Sequence, residues 1–446
     1  MTEGNVFYRD VLKQWYPTID RGEGIYLYDT SGKRYVDACA GAVVVSIGHG
    51  VREVVEVMAK QAQKVCYAFI GEFTSPWQEK LASQVIALSP KGFSKVYFVS
   101  SGSEATEAAM ALARVYHMMM GNQGKYKVIS RWQSYHGSTM GALSMSGHTS
   151  RRKDYTPYFS NFPHISAPYC YRCDFGLNYP ECGVRCAWEL ERVIKQEGPE
   201  YISAFIAEPI IGNAAACVEP PPEYFGIVRS ICDRYNVLLI MDEVMTGFGR
   251  TGKNFGIDHW NVIPDLIATG KGMTSGYAPL AAVIIHEKIN DTFVSSRKSP
   301  FLGHTYSGNP LSCAVGSVVL EYIERNGLMK RVSDIEPYLF QAFQRFDDFP
   351  IIGEIRGKGL FLGVEFVADK RSKVPFKREK KLVETFFENG FKRGLILLSG
   401  TGCADGILGD HVIVAPPFII DKSGIEEIAD LFEETLLSVQ KTIGTE

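Results

Sequence analysis

Two short apolar runs, each ending in a charged side chain, constrain the fold of this chain more than any other feature. Residues 237–241 run directly into Asp242 and Glu243, and residues 266–268 run into a Thr-Gly pair followed by Lys271. Short apolar runs bounded by turn signals are typical of buried strands. Two strands that place an acid and an amine at neighbouring carboxyl ends could hold a charged aromatic cofactor, although ordinary α/β strands with polar ends would look similar.

Strand and helix patterns alternate through the middle of the chain. The candidate strands are residues 95–99, 127–131, 204–207, 237–241, 266–268 and 281–285, with helical spacing at residues 106–119 and 223–235. This alternation predicts an open, mainly parallel sheet with helices on both faces. Polar residues follow these strands at their carboxyl ends, where such sheets place ligands.

The pattern changes after about residue 312, where a long helical run leads into a smaller α+β unit. That unit has candidate strands at residues 359–367, 395–398 and 411–414, and helices at residues 379–388 and 423–441. We therefore expect three parts: an N-terminal segment, 1–60, that packs with the small domain through a hairpin, a large domain, 61–325, and a C-terminal small domain, 326–446.

Charge and composition exclude several classes of function. The net charge of −3 over 446 residues gives no electrostatic basis for binding nucleic acid. The sequence shows no apolar run near the roughly 20 residues that span a bilayer, and no secretory signal pattern at its start. Ten scattered cysteines in a long chain fit a reducing compartment. We expect a cytoplasmic protein without nucleic-acid or membrane partners.

The Ser101-Gly102-Ser103 segment stands between a strand and a helix start. Glycine permits close backbone approach, while free helix amides and two hydroxyls attract an anion such as one phosphate. Capping of the helix by Ser101 or Ser103, with Glu104 or Glu107 in its first turn, explains the same residues, and the two roles are compatible. The absence of the Gly-x-Gly-x-x-Gly pattern argues against a dinucleotide.

Other polar residues follow the remaining strands. Tyr135 and His136 follow residues 127–131, and an aromatic ring there could stack on a planar cofactor. Glu208, like Asp242, ends an apolar strand, and a buried carboxylate needs a partner such as a protonated ring nitrogen. Lys271 needs a site that can use an amine, for example as a Schiff base.

Six motifs in this order resemble the class III (ω-type) aminotransferases, which are pyridoxal-phosphate enzymes of fold type I. They are Ser101-Gly102-Ser103-Glu104-Ala105, Tyr135-His136-Gly137, Ala207-Glu208-Pro209, Asp242-Glu243-Val244 with Thr246-Gly247-Phe248-Gly249-Arg250, Gly270-Lys271-Gly272, and His304-Thr305-Tyr306-Ser307-Gly308-Asn309-Pro310. The resemblance extends over nearly the whole chain. It implies a transferase with a large, mostly parallel α/β domain and a smaller α+β domain.

The resemblance also implies roles for individual residues. Lys271 is expected to form the Schiff base with pyridoxal 5'-phosphate and to shuttle the proton, and Asp242 to pair with the pyridinium nitrogen. The other expected cofactor-binding residues are Val244 and Tyr135 on the ring faces, Gly102 and Ser103 at the phosphate, His136, Glu208, and Thr305, which would reach the phosphate of a neighbouring subunit. The expected assembly is therefore a homodimer, or a tetramer built from such dimers.

Substrate choice is less constrained by the sequence. In the first loop, Val43 stands where many relatives carry an aromatic residue, and the C-terminal region lacks the mobile arginine of several relatives, although Arg356 and Arg393 remain candidates for binding a carboxylate. We expect an ω-amino acid or amine as donor and an oxo acid such as pyruvate or 2-oxoglutarate as acceptor. The alternatives are a racemase, a decarboxylating aminotransferase or a phospho-lyase of the same fold. A non-enzymatic binding protein is disfavoured because Lys271 and Asp242 are both present.

Four cysteines within 17 residues form a second departure from the family pattern. They are Cys170, Cys173, Cys182 and Cys186. Four thiolates could bind zinc tetrahedrally, but the middle spacing is shorter than in common zinc fingers. A switchable disulfide pair and free thiols are the alternatives. Transamination needs no metal, so we place none in the active site.

Overall fold

A seven-stranded sheet lies at the centre of the computed structural model, which describes residues 5–8, 10, 13 and 16–443. The strands are β1 (Ile19–Glu23), β2 (Tyr26–Asp29), β3 (Arg34–Asp37), β4 (Phe93–Val99), β5 (Lys127–Arg131), β6 (His164–Ile165), β7 (Ile202–Ala207), β8 (Leu238–Asp242), β9 (Leu266–Thr269), β10 (Ala281–His286), β11 (Ile352–Gly357), β12 (Leu362–Phe366), β13 (Leu395–Ile396), β14 (Leu398–Thr401) and β15 (Asp410–Val414). The α-helices are α1 (Ala40–Val43), α2 (Arg52–Lys64), α3 (Pro76–Leu88), α4 (Gly102–Met119), α5 (Met140–Met145), α6 (Thr149–Arg152), α7 (Arg185–Glu197), α8 (Tyr224–Arg234), α9 (Glu287–Ser296), α10 (Pro310–Arg325), α11 (Leu328–Gln344), α12 (Leu382–Arg393) and α13 (Lys422–Ile443). Short 3-10 helices cover Lys153–Tyr158, Cys170–Arg172, Pro199–Tyr201, Gly256–Trp260, Lys271–Met273 and Arg378–Lys380.

The central sheet has the order β4-β10-β9-β8-β7-β5-β6. Strand β10 is antiparallel to both of its neighbours, and the other pairs that adjoin in the sheet are parallel. Every residue of β7, β8 and β9 is buried, as expected for parallel strands covered on both faces. This arrangement confirms the expected α/β fold with its mainly parallel sheet.

Alternation along β8 shows how the sheet is covered. Leu238 and Ile240 belong to the core cluster shared with α4, whereas Leu239 and Met241 belong to the cluster on the opposite face, with α8. Successive side chains of a strand point to opposite faces, so one apolar run supplies both cores. Full burial of each such side chain contributes roughly 1.5–3 kcal/mol, which favours a continuous apolar strand at this position.

Parallel pairing brings the polar strand ends to one edge of the sheet. Asp242 is the last residue of β8 and pairs in register with Ala268 of β9. Lys271 follows the end of β9 by two residues, and Glu208 follows the end of β7 directly. The acid and the amine therefore lie at adjacent strand ends, above the same edge.

The C-terminal part forms a separate antiparallel sheet with the order β11-β12-β15-β14, packed against α12 and α13. The strand expected at residues 395–398 is two strands in the structure. Leu395–Ile396 pairs in parallel with β3, whereas Leu398–Thr401 pairs with β15. Strand β11 was not expected, because it is mostly half-buried and shows no clear apolar alternation.

The N-terminal hairpin joins the small unit through this split strand. Strands β1, β2, β3 and β13 form one four-stranded sheet. This pairing supports the expected packing of the N-terminal segment with the small domain. Residues 1–4, 9, 11, 12, 14 and 15 of that segment lie outside the described part, and the three-part division stays a prediction. Among the helices of the described ranges, none is long and apolar enough to cross a membrane.

Candidate active site

One cleft at the carboxyl edge of the sheet collects the polar strand ends. Its volume is about 200 Å³. It is lined by Gly102, Ser103, Tyr135, His136, Gly137, Glu208, Ile210, Asp242, Val244, Met245, Thr246 and Lys271. The structure thus brings together all of the cofactor-binding residues expected from the sequence except Thr305.

Asp242 is held in one orientation by two contacts. Its Oδ2 lies 2.7 Å from Nδ1 of His136, and its Oδ1 accepts a hydrogen bond of 3.1 Å from the backbone N–H of Val244. His136 is itself fixed, since its backbone N–H donates to Ser146 Oγ and its carbonyl accepts from Thr106 Oγ1. Both side chains are buried. The carboxylate is therefore preorganised to face a cationic group in the cleft.

Glu243 does not share this role, although it adjoins Asp242 in the chain. Its carboxylate accepts backbone hydrogen bonds of 2.8 Å from Gly256 and from Ile257, and one from the hydroxyl of Thr246. Burial raises the pKa of Glu243 to about 7 despite these donors. Glu243 thus organises the glycine-rich loop after β8.

Lys271 begins the Lys271–Met273 turn with a left-handed backbone, φ 38°. Desolvation in the cleft lowers the pKa of Lys271 to about 8, opposed by the negative charge of Asp242 and reinforced by the positive charge of Arg151. At this pKa roughly one amine in ten is neutral at pH 7, against fewer than about one in a thousand at the ordinary value. The amine is consequently available as a nucleophile near neutral pH.

At the start of α4, Ser101 and Ser103 make different contacts. Ser101 is the N-cap, with its Oγ accepting from the N–H of Glu104 at 3.3 Å, while the Glu104 carboxylate accepts from the N–H of Ser100 at 2.7 Å. Ser103 instead faces the cleft, where its Oγ accepts from the N–H of Ser138 at 3.0 Å. The same helix end can therefore be capped by one serine and bind an anion beside the other.

Gly102 has a steric reason to be glycine. A Cβ at this position would lie 3.0 Å from Cγ1 of Val244, a side chain that forms one wall of the cleft. Without that Cβ, Val244 and the helix terminus can both border the same space. The absence of a side chain thus keeps the slot open above Asp242.

Glu208 and Tyr135 form a connected wall of the cleft. The N–H of Tyr135 donates to Glu208 Oε1 at 3.3 Å, and the tyrosine hydroxyl lies 2.6 Å from Ser138 Oγ. Burial raises the pKa of Glu208, with the charges of His136 and Arg131 acting in the opposite direction. Glu208 Oε2 has no hydrogen-bond partner among the described residues, and so it can accept from a bound molecule.

These residues fit pyridoxal 5'-phosphate. Val244 and Tyr135 border a slot suited to a planar ring, Asp242 can pair with a ring nitrogen, and Lys271 offers an amine for the aldehyde. The amino end of α4, an 18-residue helix, suits a phosphate because its free N–H groups and helix dipole favour an anion.

Thr305 lies apart from this cleft. It is exposed, and its carbonyl accepts a 2.9 Å hydrogen bond from the hydroxyl of Tyr67. Within a single chain, Thr305 therefore does not border the cofactor slot.

Comparison with known proteins agrees with this geometry. The family model for aminotransferase class-III matches residues 9–436. The chain belongs to the class III aminotransferase family. It is 40% identical to an uncharacterized aminotransferase, YodT, of Bacillus subtilis over 97% of each chain. It is 33% identical to a putrescine–pyruvate aminotransferase of Pseudomonas aeruginosa, covering 96% of this chain and 92% of that protein.

A solved structure extends the comparison to the fold. The ω-transaminase of Pseudomonas jessenii in complex with PMP superposes with a TM-score of 0.89 at 32% identity, covering 96% of this chain and 94% of the other. Class III aminotransferases depend on pyridoxal phosphate, and this chain is accordingly a pyridoxal-phosphate-dependent aminotransferase.

The substrate side of this class III aminotransferase is apolar near the cofactor slot. Val43 is buried and clusters with Ile210 and Met245, both of which line the cleft. Ile210 and Met245 were not expected from the sequence, because each follows a motif residue within an irregular segment.

Neither arginine proposed for a substrate carboxylate is open to the cleft. Arg356 already contacts Glu354 at 2.6 Å and Glu365 at 2.9 Å, and it donates to the carbonyl of Ala215. Arg393 donates to the carbonyl of Asn389 one turn earlier in α12. Arg356 therefore links the small domain to Ala215 of the large domain, and Arg393 stays bonded within α12.

The four clustered cysteines border a separate cavity of about 20 Å³. All four are free thiols. Burial raises the pKa of Cys170 and raises that of Cys186 to about 12. Within the described ranges, no three side chains of metal-binding type are grouped to hold an ion. Of the three alternatives, the structure favours free thiols.

Proposed function

We propose that this aminotransferase moves an amino group from an ω-amino acid or an amine to an oxo acid such as pyruvate or 2-oxoglutarate. The convergence of Lys271 and Asp242 on one slot at the amino end of α4 carries the proposal. The apolar wall around Val43, Ile210 and Met245 suits the carbon chain of a substrate whose amine is remote from a carboxylate. The name of the P. aeruginosa relative, a putrescine–pyruvate aminotransferase, supports such a donor and acceptor.

The roles of the chain's own residues follow from their positions. Bound pyridoxal phosphate supplies an electron-withdrawing ring that stabilises negative charge at the substrate carbon. Lys271 would hold the cofactor covalently, and its Nζ, when free, would move a proton, a task suited to its lowered pKa. Asp242, oriented by His136, would keep the ring nitrogen protonated. Val244 and Tyr135 would hold the ring, while Gly102 and Ser103 would hold the phosphate.

We further propose a homodimer in which Thr305 serves the partner's phosphate site. Thr305 is exposed and lies outside its own cleft, while Tyr306 beside it is 64% exposed. Phe69 and Phe73, on the segment next to Tyr67, are 51% and 66% exposed. Large apolar side chains exposed on a surface are typical of an interface, and Tyr67 joins their segment to the threonine loop through its contacts with Thr305 and Tyr306.

A cytoplasmic location is part of the same proposal. All ten cysteines of the chain are free in the structure, five of them buried. Unpaired thiols in this number persist in a reducing compartment.

Peptide mapping of the reduced holoenzyme tests the covalent role of Lys271. Borohydride treatment should fix one pyridoxyl group per chain on the peptide that contains Lys271. Lys253, which lies in the loop after β8 and does not line the cleft, serves as the internal control. Label on Lys253 or another lysine, with Lys271 unmodified, would contradict the proposal.

A further inference from the structure

Ser138 connects two residues of the cofactor cleft and has no role in the proposed mechanism. Its backbone N–H donates to Ser103 Oγ at 3.0 Å, and its own Oγ lies 2.6 Å from the hydroxyl of Tyr135. Both Ser103 and Tyr135 line the cleft. Ser138 is exposed, so its hydroxyl is accessible to a molecule at the mouth of the cleft.

The segment that carries Ser138 is packed directly onto the start of α4. Thr106 Oγ1 donates to the carbonyl of His136 at 2.7 Å. Gly137 has a φ of 135°, and a Cβ on this residue would lie 2.5 Å from Ser103 Oγ. Glycine permits both the backbone conformation and the close approach. The turn of residues 136–138 therefore holds Ser138 beside the helix end whose first N–H groups have no partner within the helix.

Two carboxylates in the first turns of α4 are bound to backbone donors. Glu104 accepts from the N–H of Ser100 at 2.7 Å. Glu107 accepts from the N–H groups of Gly141 at 2.7 Å and Ala142 at 3.2 Å. These donors partly offset the negative charges, which would otherwise repel an anion at the same helix end.

The hydrogen bonds between these residues leave both serine hydroxyls able to donate. A serine hydroxyl has one donor and two acceptor positions. Ser103 Oγ uses an acceptor position for the N–H of Ser138. In the contact between Tyr135 and Ser138, the phenol is the more acidic group and hence the favoured donor. Each serine thus keeps its O–H for an anion.

We propose that Ser138 is a further ligand of the cofactor phosphate, to which its O–H donates beside Ser103. The Tyr135 hydroxyl orients Ser138 by donating to it, and a bound anion strengthens such a chain of hydrogen bonds. This inference rests on the proposed phosphate site at the amino end of α4 and adds a residue to that site. Ser138 should consequently matter for a ligand that carries the phosphate and not for one that lacks it.

The test titrates the full-length chain, freed of cofactor, with pyridoxal 5'-phosphate and with pyridoxal, which lacks the phosphate. Ser138→Ala should raise the Kd of pyridoxal 5'-phosphate about 10- to 100-fold, the usual effect of losing a hydrogen bond to a charged group, and leave that of pyridoxal within about twofold. Ser138→Thr keeps the hydroxyl and should restore most of the loss. Thr139→Ala should leave both ligands unchanged, because Thr139 is the exposed next residue and its side chain makes no capping hydrogen bond.

The pattern across the two ligands decides the outcome. Unchanged binding of pyridoxal 5'-phosphate to Ser138→Ala would refute the inference. Equal weakening of both ligands would also refute it, because Ser138 would then act only by supporting the Tyr135 ring. Ser138-dependent binding of the phosphorylated ligand by a chain that transfers no amino group would instead refute the proposed function and leave this inference standing.

Discussion

The side chain of Asp242 is held in one orientation by two neighbouring groups. His136 holds one carboxylate oxygen at 2.7 Å and the backbone of Val244 holds the other. A carboxylate fixed in this way loses little entropy when it meets the ring nitrogen of the cofactor. Electrostatic stabilisation by preorganised groups is usually the largest single contribution to catalysis.

Substitution of Asp242 therefore tests the electronic role directly. Asp242→Asn keeps the shape but removes the negative charge, and kcat should fall roughly 10²- to 10³-fold while bound cofactor remains. Asp258→Asn is the matched control, since Asp258 accepts from the N–H of Phe255 and does not line the cleft. Steady-state kinetics measures kcat of the two variants, and the absorbance of the bound cofactor measures its occupancy. Unchanged kcat in Asp242→Asn would place the ring nitrogen's partner elsewhere.

For individual residues, the sequence predicts which side chains converge on the cleft but not which neighbours hold them in place. Polar residues after apolar strands identified the cleft, because the carboxyl ends of parallel strands share an edge. Arg151, whose charge contributes to the lowered pKa of Lys271, gave no such signal, since its helix α6 has only four residues and no period. The pairing of His136 with Asp242 likewise joins residues 106 positions apart.

Among the elements, the loop after β8 depends on one buried carboxyl group. Glu243 accepts from Gly256, Ile257 and Thr246, which ties the glycine-rich loop to the strand end below the cofactor slot. Burial raises the pKa of Glu243 from its ordinary value, 4.5, to about 7. Between these two pH values, Glu243 is protonated in the folded protein and ionised in the unfolded chain. This group's contribution to stability is complete below that ordinary value and is lost as pH rises through about 7.

The pH dependence of unfolding tests that contribution. Glu243→Gln cannot accept all three hydrogen bonds, so its free energy of unfolding should be lower by about 1–3 kcal/mol at acidic pH. Because glutamine does not titrate, the difference should shrink between about pH 5 and about pH 8. Urea unfolding followed by fluorescence at several pH values measures the free energy of unfolding of both proteins and hence this difference. A difference that grows with pH would contradict the buried, protonated carboxyl.

Elements of the small domain were harder to predict than those of the sheet. The continuous apolar runs of β7, β8 and β9 identify buried strands with little ambiguity. Residues 395–401, in contrast, divide between two sheets, and strand β13 gains its partner, β3, from the other end of the chain. Pairings between such distant segments depend on tertiary contacts that local pattern does not contain.

For the molecule as a whole, the proposed homodimer would make each site depend on two chains. Thr305→Ala should weaken cofactor binding about 10-fold or more, as expected for a lost hydrogen bond to an anion, although Thr305 does not line its own cleft. Thr292→Ala, at a half-buried threonine on α9 that does not line the cleft, should leave binding unchanged.

Mixed dimers then assign the threonine to its site. One chain carries Lys271→Ala and the other carries Thr305→Ala, and two affinity tags isolate the mixed species. If Thr305 acts across the interface, the mixed dimer has one complete site and about half the wild-type activity. The complete site of the mixed dimer should also bind the cofactor as tightly as a wild-type site. Activity no higher than that of the Thr305→Ala homodimer would place Thr305 in its own subunit's site.

We propose that the site formed by Lys271 and Asp242 catalyses transamination as two separate half-reactions. Holoenzyme mixed with an amine donor and no acceptor should consume one equivalent per site and stop, with its visible absorption replaced by that of the pyridoxamine form. Addition of pyruvate or 2-oxoglutarate should restore the original spectrum with release of one equivalent of amino acid. Continued conversion of the donor without an acceptor, as by a racemase or a lyase, would contradict the account.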